Sequence, residues 1–187
     1  MPGDALLVVT DMQKVVAEDT PWRIDGVEAL VPPITALVGA FSPSVLFTRH
    51  VPPADGGSGT WRRFYAAWRE LARDPSVWDL MPELAARAGT VATKSIYSAF
   101  GARRLRQELE RPDPPALVLC GVETDCCVLA TVLDAVDRGI PVTIVEDAVA
   151  SPSRAGHEGA LALCRRLSEQ VVVSTTGELI GERHARR

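Results

Sequence analysis

Two adjacent cysteines, Cys126 and Cys127, lie in the segment GVETDCCVLATVLDAV, where a predicted strand passes into a predicted helix. The apolar run PALVLCGV predicts a strand that ends at Val122, and the helix is expected to begin at Thr124 or Asp125. With Thr124 as the N-cap, Cys127 would be the third helical residue, where free backbone N–H groups and the helix dipole lower a thiol's pKa. The same N–H groups could hold an oxyanion. The alternative is that both cysteines are merely small, buried helix residues.

Asp11 and Lys94 end two other apolar runs, ALLVVTDMQ and GTVATKS. The chain has 18 arginines but only two lysines, and arginine could not replace a lysine where a shiftable amine is needed, so a lysine in an apolar setting is a candidate for function. If the thiol lies between the two side chains, Lys94 would stabilise the thiolate and Asp11 could take the thiol proton. The alternative interpretation is a structural ion pair, since a buried carboxylate requires a partner.

Alternating strands and helices must position these residues. The strands are continuous apolar runs without polar alternation, which predicts a mostly parallel six-stranded sheet covered by helices on both faces. The predicted strands are ALLVVTDMQ, PSVLFTRH, GTVATKS, PALVLCGV, IPVTIVEDAVA and VVVST, and the predicted helices cover residues 26–41, 60–75, 101–111, 123–139 and 153–170, with a short one from residue 175. Ligands bind beyond the carboxyl ends of such strands, which directs attention to Asp11, Arg49, His50, Lys94 and the turn at residues 121–127.

Composition narrows the functional classes. The chain of 187 residues, 47% hydrophobic with a net charge of −4, predicts one domain over residues 1–187 and favours neither nucleic acid nor an anionic membrane as partner. No apolar run reaches the length of a membrane span, and the first residues lack a signal peptide's basic region, so we expect a cytoplasmic protein. The four cysteines contain no Cys-x-x-Cys spacing and are expected to be free thiols.

Five motifs occur in one order along nearly the whole chain: DMQ at Asp11, TRH at Thr48, KSIYSAF at Lys94, GVETDCCVLAT at Gly121 and VTIVEDAVAS at Val142. In this the sequence resembles the isochorismatase-like cysteine hydrolases, the superfamily of nicotinamidases, N-carbamoylsarcosine amidases and ureidoacrylate amidases. The resemblance implies a three-layer α/β/α, Rossmann-like fold and a homo-oligomer, either a dimer or a tetramer.

The resemblance also assigns roles to individual residues. It implies a triad of Asp11, Lys94 and Cys127, because the family's nucleophile is the cysteine immediately before the valine of CVLAT. A cis peptide bond that does not involve proline is implied between Val122 and Glu123. Its implied effect is to direct the N–H groups of Glu123 and Cys127 into an oxyanion hole.

Two departures from the family pattern matter. Glu123 replaces a small residue, often alanine, so its carboxylate must point away from the oxyanion or pair with an arginine. The stretch TRHVPPADGG has His50 but no aspartate two residues before it and no second histidine nearby, so the Asp-x-His metal motif of nicotinamidases is missing. We therefore expect no metal and no cofactor. Isochorismatases that cleave a vinyl ether lack the nucleophilic cysteine, so Cys127 favours amide or ureide hydrolysis.

Substrate contacts are expected from His50, Trp61, Tyr97 and Val122. His50 ends a predicted strand, and Trp61 is the aromatic residue nearest the Gly-rich loop. Other candidates have structural interpretations: Phe64, Tyr65 and Trp68 as helix packing, Arg49 as an ion pair, His157 as a supporting or surface residue, and Cys120 and Cys164 as core.

The sequence thus predicts a metal-independent cysteine amidohydrolase that acts on a small molecule. Two other hypotheses remain. One is an isomerase or lyase of non-amide chemistry that reuses Asp11 and Lys94. The other is a non-catalytic sensor in which Cys126 and Cys127 bind a soft metal or become oxidised.

Overall fold

The apolar runs form a single six-stranded sheet in a computed structural model of the chain, which describes residues 4–185. The strands are β1 (Ala5–Thr10), β2 (Val45–His50), β3 (Thr90–Lys94), β4 (Ala116–Val122), β5 (Val142–Ala150) and β6 (Val171–Ser174). Every pair of neighbouring strands is parallel, and their order is β3-β2-β1-β4-β5-β6. The predicted α/β sheet is confirmed, and it is parallel throughout rather than mostly parallel. The predicted domain limits at residues 1 and 187 lie outside the described residues.

Eight α-helices connect and cover the strands of the described chain. They are α1 (Lys14–Ala17), α2 (Val31–Phe41), α3 (Gly59–Ala67), α4 (Pro82–Ala85), α5 (Arg103–Leu109), α6 (Leu129–Asp137), α7 (Arg154–Arg166) and α8 (Thr176–Ala185). Pro32 and Pro33 fall in the first turn of α2, where a missing N–H costs nothing, and the Ser153 hydroxyl caps α7 by accepting from the Gly156 N–H. Within residues 4–185, no helix has both the length and the apolar character needed to cross a bilayer.

Two apolar cores cover the two faces of the sheet. Alternate residues of β1 point to opposite sides, so that Leu7 and Val9 belong to one core and Leu6 and Val8 to the other. The first core is completed by α2, α4 and α8, and the second by α5, α6 and α7. This arrangement is the predicted three-layer α/β/α fold.

The strand order reverses between β1 and β4, which are neighbours at the centre of the sheet. Parallel sheets leave a crevice at such a switch point, beyond the carboxyl ends of the strands. β4 approaches β1 closely there: Gly121 has φ +99°, and a Cβ atom on it would lie 2.1 Å from the Thr10 carbonyl oxygen. Only glycine fits this position, so the turn that carries the cysteines is held against the residue that precedes Asp11.

Among the differences between the predicted and the observed helices, two concern the segments that carry site residues. The helix predicted over residues 60–75 ends at Ala67, and short 3-10 turns at Leu71–Arg73 and Pro75–Trp78 follow, the second capped by Asp74, which accepts from the Ser76 N–H. The helix after β4 begins with a π-helical turn, Thr124–Val128, whose N-cap is Glu123 and which continues into α6. Cys127 is therefore the fourth helical residue, not the third.

Candidate active site

Asp11, Lys94 and Cys127 come together at the carboxyl edge of the sheet and are called the charged cluster below. The Lys94 Nζ atom lies 2.6 Å from Asp11 Oδ2 and 3.3 Å from Cys127 Sγ. All three side chains are buried. The three residues that the sequence singled out thus form one contact group, with the ammonium touching both the carboxylate and the sulfur.

Asp11 follows β1 in a left-handed conformation with φ +50°, which is rare for a residue other than glycine. Thr48 on the neighbouring strand holds it there. The Thr48 hydroxyl donates to Asp11 Oδ1 at 2.7 Å, and the Asp11 N–H donates to the same hydroxyl at 3.3 Å. Sequence reasoning named Thr48 only as part of a motif. Its role follows from the pairing of β1 with β2, which places the strand end containing Thr48 beside the end of β1.

Lys94 is a charged ammonium in this buried setting. Burial by itself lowers the pKa of Lys94, but the charge of Asp11 and then that of Cys127 outweigh it, so the pKa is raised from its ordinary value. A third contact is with the Ile96 carbonyl oxygen, which accepts from Nζ at 3.0 Å. The three N–H donors of the ammonium therefore have three partners: a carboxylate, a sulfur and a carbonyl.

The two cysteines differ in a way that helix position did not predict. The hydrogen bond with Cys126 and then burial raise the pKa of Cys127 well above its ordinary value, although Lys94 opposes them. The same hydrogen bond lowers the pKa of Cys126. The expectation of a lowered Cys127 pKa is therefore wrong, because the hydrogen bond with Cys126, burial and the Asp11 charge together raise it. The raised pKa favours the thiol form of Cys127, so a base must remove its proton during attack.

Internal hydrogen bonds fix the turn between β4 and α6. The Val122–Glu123 peptide bond is cis, at the place where the family resemblance implied one. The Glu123 carbonyl accepts from the Cys126 N–H at 3.1 Å and from the Val128 N–H at 3.0 Å.

Side chains from α6, α7 and the end of β5 brace this turn. The Thr131 hydroxyl donates to the Cys127 carbonyl oxygen at 2.7 Å, and Thr124 Oγ1 contacts His157 Nδ1 at 2.9 Å. Asp125 accepts from the Ser151 hydroxyl. His157 thus has the supporting role that was predicted, while Thr131 and Ser151 were not foreseen.

Gln13 fixes His50 at the end of β2. Its amide oxygen accepts from the His50 N–H at 2.8 Å, and its Nε2 donates to the His50 carbonyl at 3.2 Å and to the Trp78 carbonyl at 2.7 Å. The His50 ring contacts the Tyr65 hydroxyl at 3.2 Å. Burial, and then the charge of Lys94, lower the pKa of His50 from 6.5 to about 4, so the imidazole is neutral at pH 7.

A cavity of about 260 Å³ opens onto the charged cluster. Its lining includes three of the four predicted substrate contacts, His50, Tyr97 and Val122, but not Trp61. Trp61 instead packs beside the cavity, with its ring centroid 4.6 Å from that of Tyr97. The aromatic residues that line the cavity, called the aromatic wall below, are Trp22, Phe64, Trp68 and Tyr97.

Helix packing therefore does not account for Phe64 and Trp68, which face the cavity from α3 and its C-cap. α3 is less than three turns long, and its aromatic residues meet Trp22, which comes from a distant loop. The Trp22 ring centroid lies 5.8 Å from that of Phe64 and 6.0 Å from that of Trp68. No local sequence signal pairs Trp22 with α3, so the wall was not predictable from periodicity.

Glu123, whose orientation the sequence left open, lines the cavity and is half-buried. Burial, and then the charges of Asp125 and Asp11, raise the pKa of its carboxyl group. In the described part of the chain, the ion pairs and side-chain hydrogen bonds give Glu123 no arginine or lysine partner. Arg49, at the end of β2, pairs with Asp79 at 3.3 Å, as predicted.

One group of side chains could hold a metal ion. Ligand atoms of Asp11, His50 and Cys127 lie within 4.8 Å of one another. However, the Lys94 ammonium already contacts both Asp11 and Cys127, so a metal ion would have to displace a cation that satisfies the same atoms. The Asp-x-His position is occupied by Thr48, whose hydroxyl is used by Asp11. This donor set fits an ammonium-centred site better than a metal centre.

Comparisons with known proteins agree with the fold. Residues 5–178 match the family model of the Isochorismatase domain. The chain is 31% identical to isochorismatase domain-containing protein 2 of Macaca fascicularis over 187 residues, which cover 95% of this chain and 78% of the relative.

Solved structures extend the comparison. A cysteine hydrolase from Pseudomonas syringae pv. phaseolicola 1448A superimposes with a TM-score of 0.83 at 26% identity, covering 98% of this chain and 94% of the other. A nicotinamidase from Bacillus subtilis superimposes with a TM-score of 0.70 at 24% identity, covering 91% of this chain and 99% of the other. At that lower identity, the likeness concerns the fold alone.

Proposed function

Because the chain belongs to the isochorismatase family, we propose that it is a metal-independent cysteine hydrolase that cleaves the C–N bond of a small amide or ureide. The observation that carries the proposal is the position of Lys94, whose ammonium lies 2.6 Å from Asp11 and 3.3 Å from Cys127. If Lys94 and Asp11 formed only a structural ion pair, the ammonium would not need a cysteine as its second contact, and the pair would not need an open cavity beside it. A buried carboxylate, ammonium and thiol that meet at a cavity are the parts that nucleophilic catalysis requires.

In the first half of the reaction, Cys127 Sγ attacks the carbonyl carbon of the substrate. Its proton passes to Asp11, which has a carboxylate oxygen within 4.8 Å of the sulfur. Lys94 compensates the negative charge on the sulfur as the proton leaves. The C–N bond then breaks, and Asp11 returns the proton to the departing nitrogen, so that an amine or ammonia and a thioester result.

The N–H groups of Glu123 and Cys127 are the proposed donors to the oxyanion of the tetrahedral intermediate. They belong to the turn that Gly121 holds against β1 and that His157, Ser151 and Thr131 brace. Donors that do not move need no reorganisation when charge develops, and this is the usual source of their catalytic effect.

In the second half, a water molecule attacks the thioester and gives a proton to Asp11. The C–S bond breaks, and the sulfur regains that proton, which restores the thiol of Cys127. His50 has its pKa lowered to about 4 and stays neutral through this cycle, so its proposed role is substrate contact rather than proton transfer. Assembly into a homo-oligomer and a cytoplasmic location stay predictions.

The test is ammonia release from a panel of small amides and ureides, with and without a chelator. Cys127→Ala should lower turnover by on the order of a thousandfold or more, whereas Cys126→Ala should keep most of it. Cys164→Ala is the matched control, because Cys164 is a buried thiol of the second core, away from the cavity. A Cys127→Ala protein with full turnover would refute the proposal, and turnover that then depended on Asp11 would favour the isomerase or lyase alternative.

A further inference from the structure

The charges that face the cavity do not balance. Two carboxylates, Asp11 and Glu123, line it, and Asp11 is neutralised by Lys94. The other titratable residues of the lining are His50, Tyr97, Cys126 and Cys127, and the described lining contains no arginine or lysine. Glu123 is therefore a cavity-lining carboxyl group with no cationic partner in the described lining, and a positively charged ligand would supply one.

The aromatic wall adds a second, independent preference. Trp22, Phe64, Trp68 and Tyr97 surround the space that Glu123 faces. The rings meet at angles, with Trp22 and Trp68 edge-to-face at an interplanar angle of 76°, so they form a pocket and not a flat stack. The faces of such rings carry negative charge density and attract ammonium groups, above all quaternary ones.

We propose that the substrate is a small amide or ureide that carries an ammonium group, which the aromatic wall encloses and the Glu123 carboxylate neutralises. This inference rests on the proposed hydrolase function and adds the charge of its substrate. It disfavours amides and ureides that carry a carboxylate, because such a group would enter a cavity that the Glu123 carboxyl group already lines. It also explains why a charged residue is tolerated beside the oxyanion hole: the bound cation compensates it.

The protonation behaviour of Glu123 agrees with this account. Burial, followed by the charges of Asp125 and Asp11, raises the pKa of Glu123, so the empty cavity disfavours its ionised form. An ammonium group in the cavity would favour the ionised form and relieve that penalty. Conversely, a carboxylate ligand would increase it.

The test compares three butyramides that differ only in their terminal group: trimethylammonium, uncharged tert-butyl and carboxylate. Their binding to the Cys127→Ala protein is measured by calorimetry, with quenching of tryptophan fluorescence as a second readout. The trimethylammonium compound should bind about tenfold more tightly than its tert-butyl isostere, and the carboxylate compound more weakly than both. Equal binding of the first two, tighter binding of the carboxylate, or no measurable binding of any would overturn the inference.

Two substitutions in the same background locate the effect. Glu123→Gln should abolish most of the preference for trimethylammonium over tert-butyl, whereas Glu169→Gln, an equal charge change on an exposed residue outside the cavity, should keep it. Phe64→Leu should weaken the trimethylammonium compound more than the tert-butyl compound. If Glu123→Gln does not fold, the comparison of the three ligands and the Phe64 variant still decide the matter. A preference that survives in folded Glu123→Gln would contradict the role of Glu123.

Turnover by the unsubstituted protein separates this inference from the proposed function. If the trimethylammonium compound binds selectively but no amide or ureide releases ammonia, the hydrolase proposal fails and the cation site stands. If butyramides are hydrolysed without regard to charge, the hydrolase proposal stands and this inference fails.

Discussion

The charged cluster stands on the ends of β1 and β3 and in the turn after β4, whereas the aromatic wall comes from a loop, from α3 and its cap, and from the segment after β3. Strand register places Asp11 and Lys94 close together, where a buried ion pair joins them, and the turn after β4 places Cys127. The members of the wall are held by contacts with one another and with the neighbouring rings of His50, Trp61 and Trp78. The sheet therefore fixes the residues of the proposed chemistry, while loop and helix packing fix the residues that choose the substrate. Substitutions in the two regions should have different consequences.

The largest effect on stability is expected from Lys94→Met, because it leaves the Asp11 carboxylate buried without its cation. Loss of one partner of a buried pair costs about 3–5 kcal/mol, and we expect the free energy of unfolding in urea to fall by that amount. The only other lysine provides the matched control: Lys14 is partly exposed, and Lys14→Met should cost less than about 1 kcal/mol. Similar losses for the two variants would mean that the sheet edge does not depend on the ion pair.

His50, which lies beside the charged cluster, should make the stability of the protein depend on pH. Burial and then Lys94 lower the pKa of His50 from 6.5 to about 4, so between these pH values the unfolded chain binds a proton that the folded chain does not. Stability should therefore fall as the pH decreases from 6.5 towards 4, by about 3 kcal/mol from this group.

Urea denaturation of His50→Gln across that interval checks the sign. The variant should lose less stability on acidification than the parent, because it lacks the group that resists protonation. His184→Gln, which replaces an exposed histidine of α8, should follow the parent. An equally steep loss in His50→Gln would show that other groups cause the acid sensitivity.

Substitution in the wall should change substrate binding and leave the chemistry intact. Trp68→Leu removes a ring that lines the cavity, so we expect KM for the amide turned over best to rise about tenfold with kcat nearly constant. Trp61→Leu tests the assignment of the wall, because Trp61 lies nearby on α3 but does not line the cavity. A larger rise in KM for Trp61→Leu than for Trp68→Leu would reverse the assignment and restore the expectation drawn from the sequence.

The same contrast explains what the sequence could predict. Asp11 and Lys94 were recognisable because a charged residue at the end of a Val- and Leu-rich run must lie at the sheet edge, and parallel strands bring their ends together. The family resemblance then distinguished Cys127 from Cys126, because the family's nucleophile immediately precedes the valine of CVLAT. The six strands followed from the apolar runs, and their parallel sense from the alternation of those runs with helices.

The residues that sequence reasoning missed depend on contacts between distant segments. Thr48 and Gln13 act through strand register and through hydrogen bonds that span 37 residues of the chain, and Trp22 reaches α3 only after the fold has formed. α3 ends early as well, and its C-cap Trp68 contacts Trp22 from a distant loop. The Cys127 pKa was predicted in the wrong direction because the prediction used the dipole and free N–H groups of the helix terminus and left out the neighbouring thiol of Cys126.

The smallest effect separates the two cysteines. Cys126→Ala removes the hydrogen bond that raises the pKa of Cys127, so that pKa should move down towards its ordinary value, although burial and the Asp11 charge still oppose ionisation. Alkylation of Cys127 by iodoacetamide should therefore reach half its maximal rate at a lower pH in Cys126→Ala than in the parent. Turnover should change by less than about tenfold, the size expected for one neutral hydrogen bond. The Cys126→Ala, Cys127→Ala double variant measures the background alkylation of Cys120 and Cys164. If the pH of half-maximal Cys127 alkylation rises in Cys126→Ala, Cys126 helps Cys127 to ionise instead of restraining it.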